Sequence, residues 1–460
     1  TTPEFFSLFP AVDLVVNGEG ELPFSRLVGY LKASVNLCEI PPIPGIIKAA
    51  TVKTSGAPMR FQQMKNLGDL PPPDFDDYFE LLKSLAPRNR FFATLPVETS
   101  RGCWWQRPST AGKSSGCAFC NLNLQWEGYR TKDPDQVAGE IDYLTTRYQT
   151  LAVSIVDNVL PRRASKEIFQ KLIGLDKDLR MFSEIRATTT WPELNLMAQA
   201  GIQEVQIGIE ALSTSLLTKL HKGTTAIQNL EIMRDCEALG IANYSNLILH
   251  FPGSDEQDVA ETLRSLEFAV PYRPLKTVSF WLGLDSPVWQ DPEFYGIKSV
   301  FNHPNWGYLF PKKVFTRMRF MIQAYRGDLG YQRKIWRPVE AKVKTWRKTY
   351  TELNGRPVGS PALNLRDGRD FLIIRQQNLN SETINHRLVG TSRRIYLFCR
   401  HHRSIKRLRD RFPAFAEDKI IAFLKMMVDK KLMFEERNRY LSLAIHPTRT
   451  SRNRRLKIKD

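Results

Sequence analysis

One alternation constrains this chain more than any other feature. Between about residues 95 and 285, short apolar runs recur, and most are followed by a segment that opens with a helix-start signal. The runs fall at 95–100, 151–156, 181–185, 204–209, 243–249 and 277–282. Asp133 stands before Pro134, with Gln136 three residues on; Thr190 precedes Glu193 by three and Gly201 follows; Ser254 precedes Gln257 by three. These are capping boxes, a first-turn proline and a helix-ending glycine. Six strands alternating with helices predict an α/β fold with parallel strands, in a barrel or an open sheet. Periodicity alone does not choose between the two.

The chain has 460 residues, enough for two or three domains at roughly 100–200 residues each. Residues 11–31 read as strand, turn and helix. Val12, Leu14, Val15 and Val16 are the apolar run, Gly18-Glu19-Gly20-Glu21 breaks it, and Pro23 sits in the first helical turn. This pattern is expected of the last unit of an α/β sheet whose earlier strands precede Thr1. Residues 39–90 are proline-rich and read as a linker. The barrel or sheet occupies 91–285, an extension 286–387, and a basic tail 447–460. In 388–446, three short helices (393–400, 404–412 and 418–431) precede a hairpin turning at Arg437-Asn438, which makes a winged-helix-like α+β module.

A composition of 42% hydrophobic and 25% charged residues excludes a disordered or fibrous chain. No run of about 18 uncharged apolar residues occurs, so no membrane span is expected. Six cysteines are too few for a disulfide scaffold. No secretory signal follows Thr1, and the expectation is a cytoplasmic enzyme whose natural start lies further upstream. Charge is uneven. Residues 331–460 carry 32 Lys+Arg and 12 Asp+Glu, a balance of +20, whereas the rest carry 34 and 36, a balance of −2. Such a region is either a solvated basic face or a surface for an acidic partner: nucleic acid, membrane or peptide.

Three cysteines cluster in the run Glu98-Thr99-Ser100-Arg101-Gly102-Cys103-Trp104-Trp105 … Gly116-Cys117-Ala118-Phe119-Cys120, directly after the first strand. Zinc usually takes four protein ligands, and no further Cys or His lies between residues 39 and 220, although His221 or Cys236 could arrive through the fold. Three thiolates on a four-iron cubane leave one iron open to a non-protein ligand. Unligated thiols pack well in cores, but a Gly/Ser-rich loop is poor core. Iron–sulfur, zinc and structural readings are all open on spacing alone.

Cys117-Ala118-Phe119-Cys120 resembles the second half of the radical S-adenosylmethionine signature. The family's usual first gap is three residues; here it is thirteen. A longer gap behind Glu-Thr-Ser-Arg-Gly-Cys-Trp-Trp is similar to the radical S-adenosylmethionine enzymes of ribosomal-peptide (RiPP) maturation. The resemblance continues at Tyr129-Arg130, at Val156-Asp157-Asn158, at Gln206 to Glu210 with Lys222-Gly223-Thr224, and at Asn246 to Gly253, where a glycine is common at the position of His250. Gly18-Glu19-Gly20-Glu21 resembles the end of the cobalamin-binding-type domain in the methyltransferase branch, so 1–38 reads as its C-terminal remnant.

The resemblance implies a partial (βα)6 barrel preceded by the end of a Rossmann-like domain. It implies a [4Fe–4S] cluster on Cys103, Cys117 and Cys120, S-adenosylmethionine on its open iron, and cobalamin as methyl carrier. Strand-end residues are then candidates for S-adenosylmethionine: Asp157 and Asn158 for its amino group, Arg186 for its carboxylate, Glu210 for a ribose hydroxyl or for supporting Arg186. Their bland alternatives are a polar turn and a surface ion pair. His250 reaches the same end of the strands or is structural, and Trp104 and Trp105 wall the cluster or pack the loop. The implied activity is C-methylation of a ribosomal peptide. The implied partners are a precursor peptide with an acidic leader and a reductant such as flavodoxin or ferredoxin. Alternatives are a peptide crosslinking or epimerising relative, a radical enzyme acting on nucleic acid, and a zinc-stabilised nucleic-acid-binding module.

Overall fold

A computed structural model describes residues 2–33, 36–49, 63–105, 116–122, 128–354, 361–379 and 382–446. Most of the first cysteine gap and the basic tail lie outside the described residues. Two compact units emerge: residues 1–73, 99–133 and 281–328 form one, and 74–98, 134–280 and 329–460 the other. The strands, in chain order, are β1 (Leu14–Val16), β2 (Ile46–Lys48), β3 (Leu95–Val97), β4 (Ser100–Arg101), β5 (Arg130–Thr131), β6 (Ala152–Ile155), β7 (Arg180–Ile185), β8 (Ile202–Ile207), β9 (Ala242–Asn243) and β10 (Asn246–Leu249). They continue as β11 (Lys276–Ser279), β12 (Leu282–Gly283), β13 (Ser299–Asn302), β14 (Ile322–Arg326), β15 (Leu363–Asp367), β16 (Phe371–Gln376), β17 (Ile384–Val389), β18 (Arg403–Ser404), β19 (Met433–Glu436) and β20 (Arg439–Ser442).

In the first unit, the expected strand, turn and helix are β1, Gly18–Gly20 and the helix Glu21–Lys32. β1 pairs antiparallel with β2, which comes from the proline-rich segment read as a linker. Leu27 of the helix buries against Ile40 and Ile43 of that segment. The unit also holds the β4–β5 ladder and an antiparallel sheet ordered β12-β14-β13.

The second unit holds the predicted α/β pattern. β3, β6, β7, β8 and β9 pair in parallel in that order, β10 pairs in parallel with β11, and a parallel bridge joins Glu210 to Leu247. The strands therefore follow chain order, with no reversal of the kind that marks a doubly wound sheet. Thr190 and Glu193 form the expected capping box, and Gly201 ends that helix at φ +107°. A side chain there would put Cβ 2.2 Å from the Leu179 carbonyl, so only glycine fits. The Ser254–Gln257 box is corrected by one residue: Asp255 caps the helix Glu256–Ala269 with Asp258, and the Ser254 hydroxyl instead bonds Gln332 in the helix Leu329–Asn354. The acidic pair wins because a carboxylate accepts more strongly from helix N–H groups than a hydroxyl does.

The C-terminal residues form an antiparallel sheet β15-β16-β17, then the helices Gly390–Phe398, Ile405–Arg411 and Glu417–Asp429, and a sheet ordered β18-β20-β19. The hairpin turns at Arg437 and Asn438, both at positive φ, as a two-residue turn between twisted strands requires. This module is bound to the α/β core. Glu436 accepts from the Ile227 amide at 3.1 Å and from the Thr214 hydroxyl, and the Tyr272 hydroxyl donates to the Leu443 carbonyl at 2.8 Å.

Candidate active site

The first unit carries the three clustered cysteines. β4 and β5 pair Ser100 with Thr131 and Arg101 with Arg130, so they close the base of the loop that holds them. Gly102 turns the chain at φ +89° into Cys103. At the other end, the Cys120 amide donates to the Cys117 carbonyl at 3.0 Å, which folds the two thiols onto one tight turn. That turn is anchored. Ala118 is fully buried, its carbonyl accepts from the Val288 amide at 3.1 Å, and Asn121 Nδ2 donates to the Leu284 carbonyl at 3.2 Å. All three thiols are partly exposed, as are Trp104 and Trp105, whereas Cys236 and Cys399 are buried and Cys38 is exposed.

The turn at Gly18–Glu21 serves this loop. Glu19, 6% exposed, bonds Arg130 through both carboxylate oxygens and accepts from the Met64 amide at 2.6 Å. It also lies 3.5 Å from Arg101, whose other partner is Glu21. Burial works against ionisation of Glu19, but the hydrogen bonds from Arg130 and Met64, with the charges of Arg130 and Arg101, hold its carboxyl below the ordinary range.

The donor set fits a cubane with one open iron: three accessible thiols, two on one anchored turn. Among the described residues, no three His, Cys, Asp or Glu side chains already converge closely enough to hold a metal ion. For cobalamin the fit is different. All seven histidines lie at or beyond residue 221, so residues 1–38 offer no imidazole ligand, and Glu19 and Glu21 are engaged in ion pairs.

The second unit gathers charge at the C-terminal ends of its strands. Asp157, after β6, is buried and Asn158 is partly exposed. The next strand end is tied to this turn by the Leu160 amide, which donates to the Glu184 carbonyl at 3.3 Å. Arg186, after β7, is buried and donates to the Lys222 carbonyl. Lys222 Nζ stands 3.4 Å from Glu210 Oε1. Gly208 makes this approach possible, since a Cβ there would lie 2.6 Å from Lys222 Nζ. Glu210 itself adopts φ +59° while its carbonyl accepts from the Ile248 amide at 2.8 Å. Sequence reasoning placed Arg186 and Glu210 here but gave no role to Lys222 or Glu184. The available signal was the position of Glu184 near the end of the β7 run, two residues before Arg186, which follows the strand. Burial raises the Glu184 carboxyl pKa, the neighbouring Glu210 adds to this, and Lys222 opposes it.

His250, after β10, sits at φ +62°. Its Nδ1 is 3.3 Å from the Ser279 hydroxyl and its Nε2 3.7 Å from Glu340. Burial lowers its pKa, Glu340 opposes this and Arg333 adds to it. The structure thus groups Arg186 and Glu210 with Lys222 and Glu184, and holds His250 with Ser279 and Glu340.

The Radical SAM superfamily model matches residues 99–266. Over that stretch the chain is similar to a superfamily named for radical chemistry with S-adenosylmethionine. An uncharacterized methyltransferase of Pyrococcus horikoshii is 26% identical over 263 residues, 55% of this chain and 52% of its own length. An anaerobic magnesium-protoporphyrin IX monomethyl ester cyclase of Rubrivivax gelatinosus is 26% identical over 270 residues, 57% and 45% of the two chains. The chain spans about half the length of the curated relatives it matches. Among solved structures, the cobalamin-dependent S-adenosylmethionine radical enzyme OxsB with aqua-cobalamin bound matches at TM-score 0.54 and 17% identity, over 77% of this chain and 58% of its own. The radical S-adenosylmethionine methyltransferase TsrM of Kitasatospora setae matches at TM-score 0.51 and 16% identity, over 76% and 69%. These two are likenesses of fold. No helix among the described residues is long and apolar enough to cross a membrane.

Proposed function

We propose that this chain is a radical S-adenosylmethionine C-methyltransferase acting on a ribosomally made peptide, with its parallel strands forming a partial (βα)6 barrel and its C-terminal module a winged helix. The observation that carries the radical chemistry is the three-thiol loop opening a domain matched over residues 99–266. Cys103, Cys117 and Cys120 would hold the cluster. Bound together, cluster and S-adenosylmethionine supply a radical able to take hydrogen from an unactivated carbon.

The protein's own groups bind and orient. Asp157 and Asn158 offer acceptors for the ammonium of S-adenosylmethionine, and Arg186 a guanidinium for its carboxylate. Glu210 accepts from a ribose hydroxyl, with the Lys222 ammonium 3.4 Å from its carboxylate. Trp104 and Trp105 keep water from the thiols. Methylation rather than another radical outcome is supported by the methyltransferase relative and by the fold shared with OxsB and TsrM, both named for cobalamin or methyl transfer. Cobalamin is the methyl carrier that the resemblance implies, and residues 1–38 offer it no imidazole ligand. The peptide is supported by the sequence resemblance and by the basic C-terminal region. A second reading, a nucleic-acid substrate, is favoured by one relative, a tRNA-2-methylthio-N(6)-dimethylallyladenosine synthase of Syntrophobacter fumaroxidans, 25% identical over 218 residues.

The test is anaerobic turnover of reconstituted protein with a reductant, S-adenosylmethionine and a candidate precursor peptide. Expected are a peptide heavier by one methyl group per event and both 5′-deoxyadenosine and S-adenosylhomocysteine. A product lighter by two hydrogens, with 5′-deoxyadenosine alone, would identify a crosslinking enzyme instead.

A further inference from the structure

In the first unit, β13, β14 and the helix Lys312–Arg317 border a cavity of about 450 Å³ that none of the residues assigned above lines. Its size suits one small ligand, since ligand pockets run from about 300 to 1,000 Å³. Trp289, Phe301, Phe315 and Met318 give it apolar walls. Arg317 and Arg319 bring two cations, and no Asp or Glu lines it among the described residues. Arg317 Nε stands 4.0 Å from Glu4 Oε1, and both side chains are exposed, so this pair stabilises little. Arg319 lies over the Trp289 ring at 5.7 Å and has no carboxylate partner among the described residues. Stacking on an indole leaves the N–H groups at the rim of a guanidinium free to donate.

The cavity is held in shape from within. Asn302 Nδ2 donates to the Phe315 carbonyl at 2.8 Å and to the Met318 carbonyl. Its Oδ1 accepts from the Phe320 amide at 3.2 Å and from Gln323 Nε2 at 2.9 Å. One side chain of β13 thus ties the segment that carries both arginines to β14. Trp289 is placed by Ser286, whose hydroxyl accepts from its amide at 3.3 Å. The preceding amide, of Val288, donates to Ala118 in the cysteine turn. Walls fixed in advance reduce the ordering cost of binding.

We propose that this cavity binds a carboxylate carried on an aromatic or branched apolar body. The carboxylate is held by Arg317 and Arg319, and the body packs against Trp289, Phe301 and Phe315. The planar fork of a guanidinium matches the two oxygens of a carboxylate, and the apolar walls exclude water from the rest of the ligand. Such a group is offered by the C-terminal residue of a peptide and by a small free acid, and the same contacts serve either. A nucleotide would also bring a flat ring and an anion. Its base edge, however, needs polar partners, and the Asn302 amide and Gln323 Nε2 spend their hydrogen bonds within the protein. This site goes beyond the peptide reading above and stands without it.

The probes are N-acetyl-phenylalanine and a hexapeptide of five alanines with a terminal phenylalanine, each as the free acid and as the C-terminal amide. They are titrated by calorimetry into the full cluster-reconstituted chain. The acids should bind, and the amides should bind about tenfold more weakly or worse, a change of about 1.4 kcal/mol. The double variant Arg317→Gln/Arg319→Gln should weaken the acids by a similar factor. Both arginines are exposed, so the variant should fold. Lys312→Gln/Lys313→Gln, on the same helix but outside the cavity, should change binding by less than about twofold, because solvated charges are screened. Phe301→Ala, a change at an exposed ring, should weaken both acids. A hexapeptide acid that binds more tightly than N-acetyl-phenylalanine assigns the site to a peptide terminus; equal or weaker binding assigns it to a small free acid. No saturation by either acid, equal affinity for acids and amides, unchanged binding in the arginine variant, or tighter binding of adenosine monophosphate that the same variant abolishes would each overturn the proposal.

Discussion

Glu19 and Arg130 are joined through both carboxylate oxygens, with Arg130 Nη1 3.0 Å from Glu19 Oε2. A residue from the turn after β1 thereby fixes β5, the strand that closes the cysteine loop. The run first read as the edge of a cofactor domain acts in this structure as a clamp on the loop.

Removing one partner of this pair should be costly, because it strands a buried charge. Glu19→Ala is expected to destabilise by about 3 kcal/mol, and the double variant Glu19→Ala/Arg130→Met by less than the sum of the singles. Chemical denaturation of all four proteins checks this. Strict additivity would mean the pair is not coupled.

The same carboxylate makes stability depend on pH. Its folded pKa is below the ordinary value of 4.5. Its contribution is therefore fully present above about pH 4.5 and lost as pH falls through the folded pKa. Glu19→Gln should lose stability relative to the parent at pH 7, and the gap between them should narrow at pH 3.

At the strand ends the sign is reversed. Glu184 has a raised pKa, so its environment favours folding below the ordinary carboxylate range and penalises it as pH rises. Lys222→Met removes the opposing charge and should push the Glu184 pKa higher, making the variant lose more stability than the parent between pH 5 and pH 8. Gly208→Ala, which displaces Lys222 Nζ, should shift it the same way by less. Carboxyl NMR with labelled Glu reads both.

His250 should titrate below the ordinary imidazole range of about 6.5. Its neutral form is favoured in the fold, so its contribution is present above that value and lost as pH falls. Glu340→Gln should lower the pKa further and Arg333→Met should raise it, as followed by histidine NMR. A rise in Glu340→Gln would show that the carboxylate does not face the ring.

The thiols divide by burial. Ala at Cys103, Cys117 or Cys120 should abolish the brown colour and bound iron of anaerobically reconstituted protein while costing little stability, since all three are partly exposed. Ala at Cys236 or Cys399 should keep the iron and cost about 1–2 kcal/mol through the cavity left behind.

Local chemistry was legible without coordinates wherever neighbours in sequence are neighbours in space. Thr190, Glu193 and Gly201 mark a helix from end to end because a capping box and a left-handed terminus need only adjacent residues. The parallel pairing followed from alternation, although the run at 243–249 splits into β9 and β10 and Leu282 joins the antiparallel β12, and the Cys117–Cys120 turn followed from its two-residue gap. What folding alone decided is long-range. β1 met β2, an antiparallel partner from the proline-rich segment some thirty residues on, a pairing that no local pattern announces. Lys222 reached Glu210 across twelve residues because Gly208 left room for its ammonium, and Glu19 reached Arg130 across 111. Periodicity reports which face a residue occupies on its own element. It carries no term for the charge that a distant element brings to that face, and the charge cluster within each unit is built from such charges.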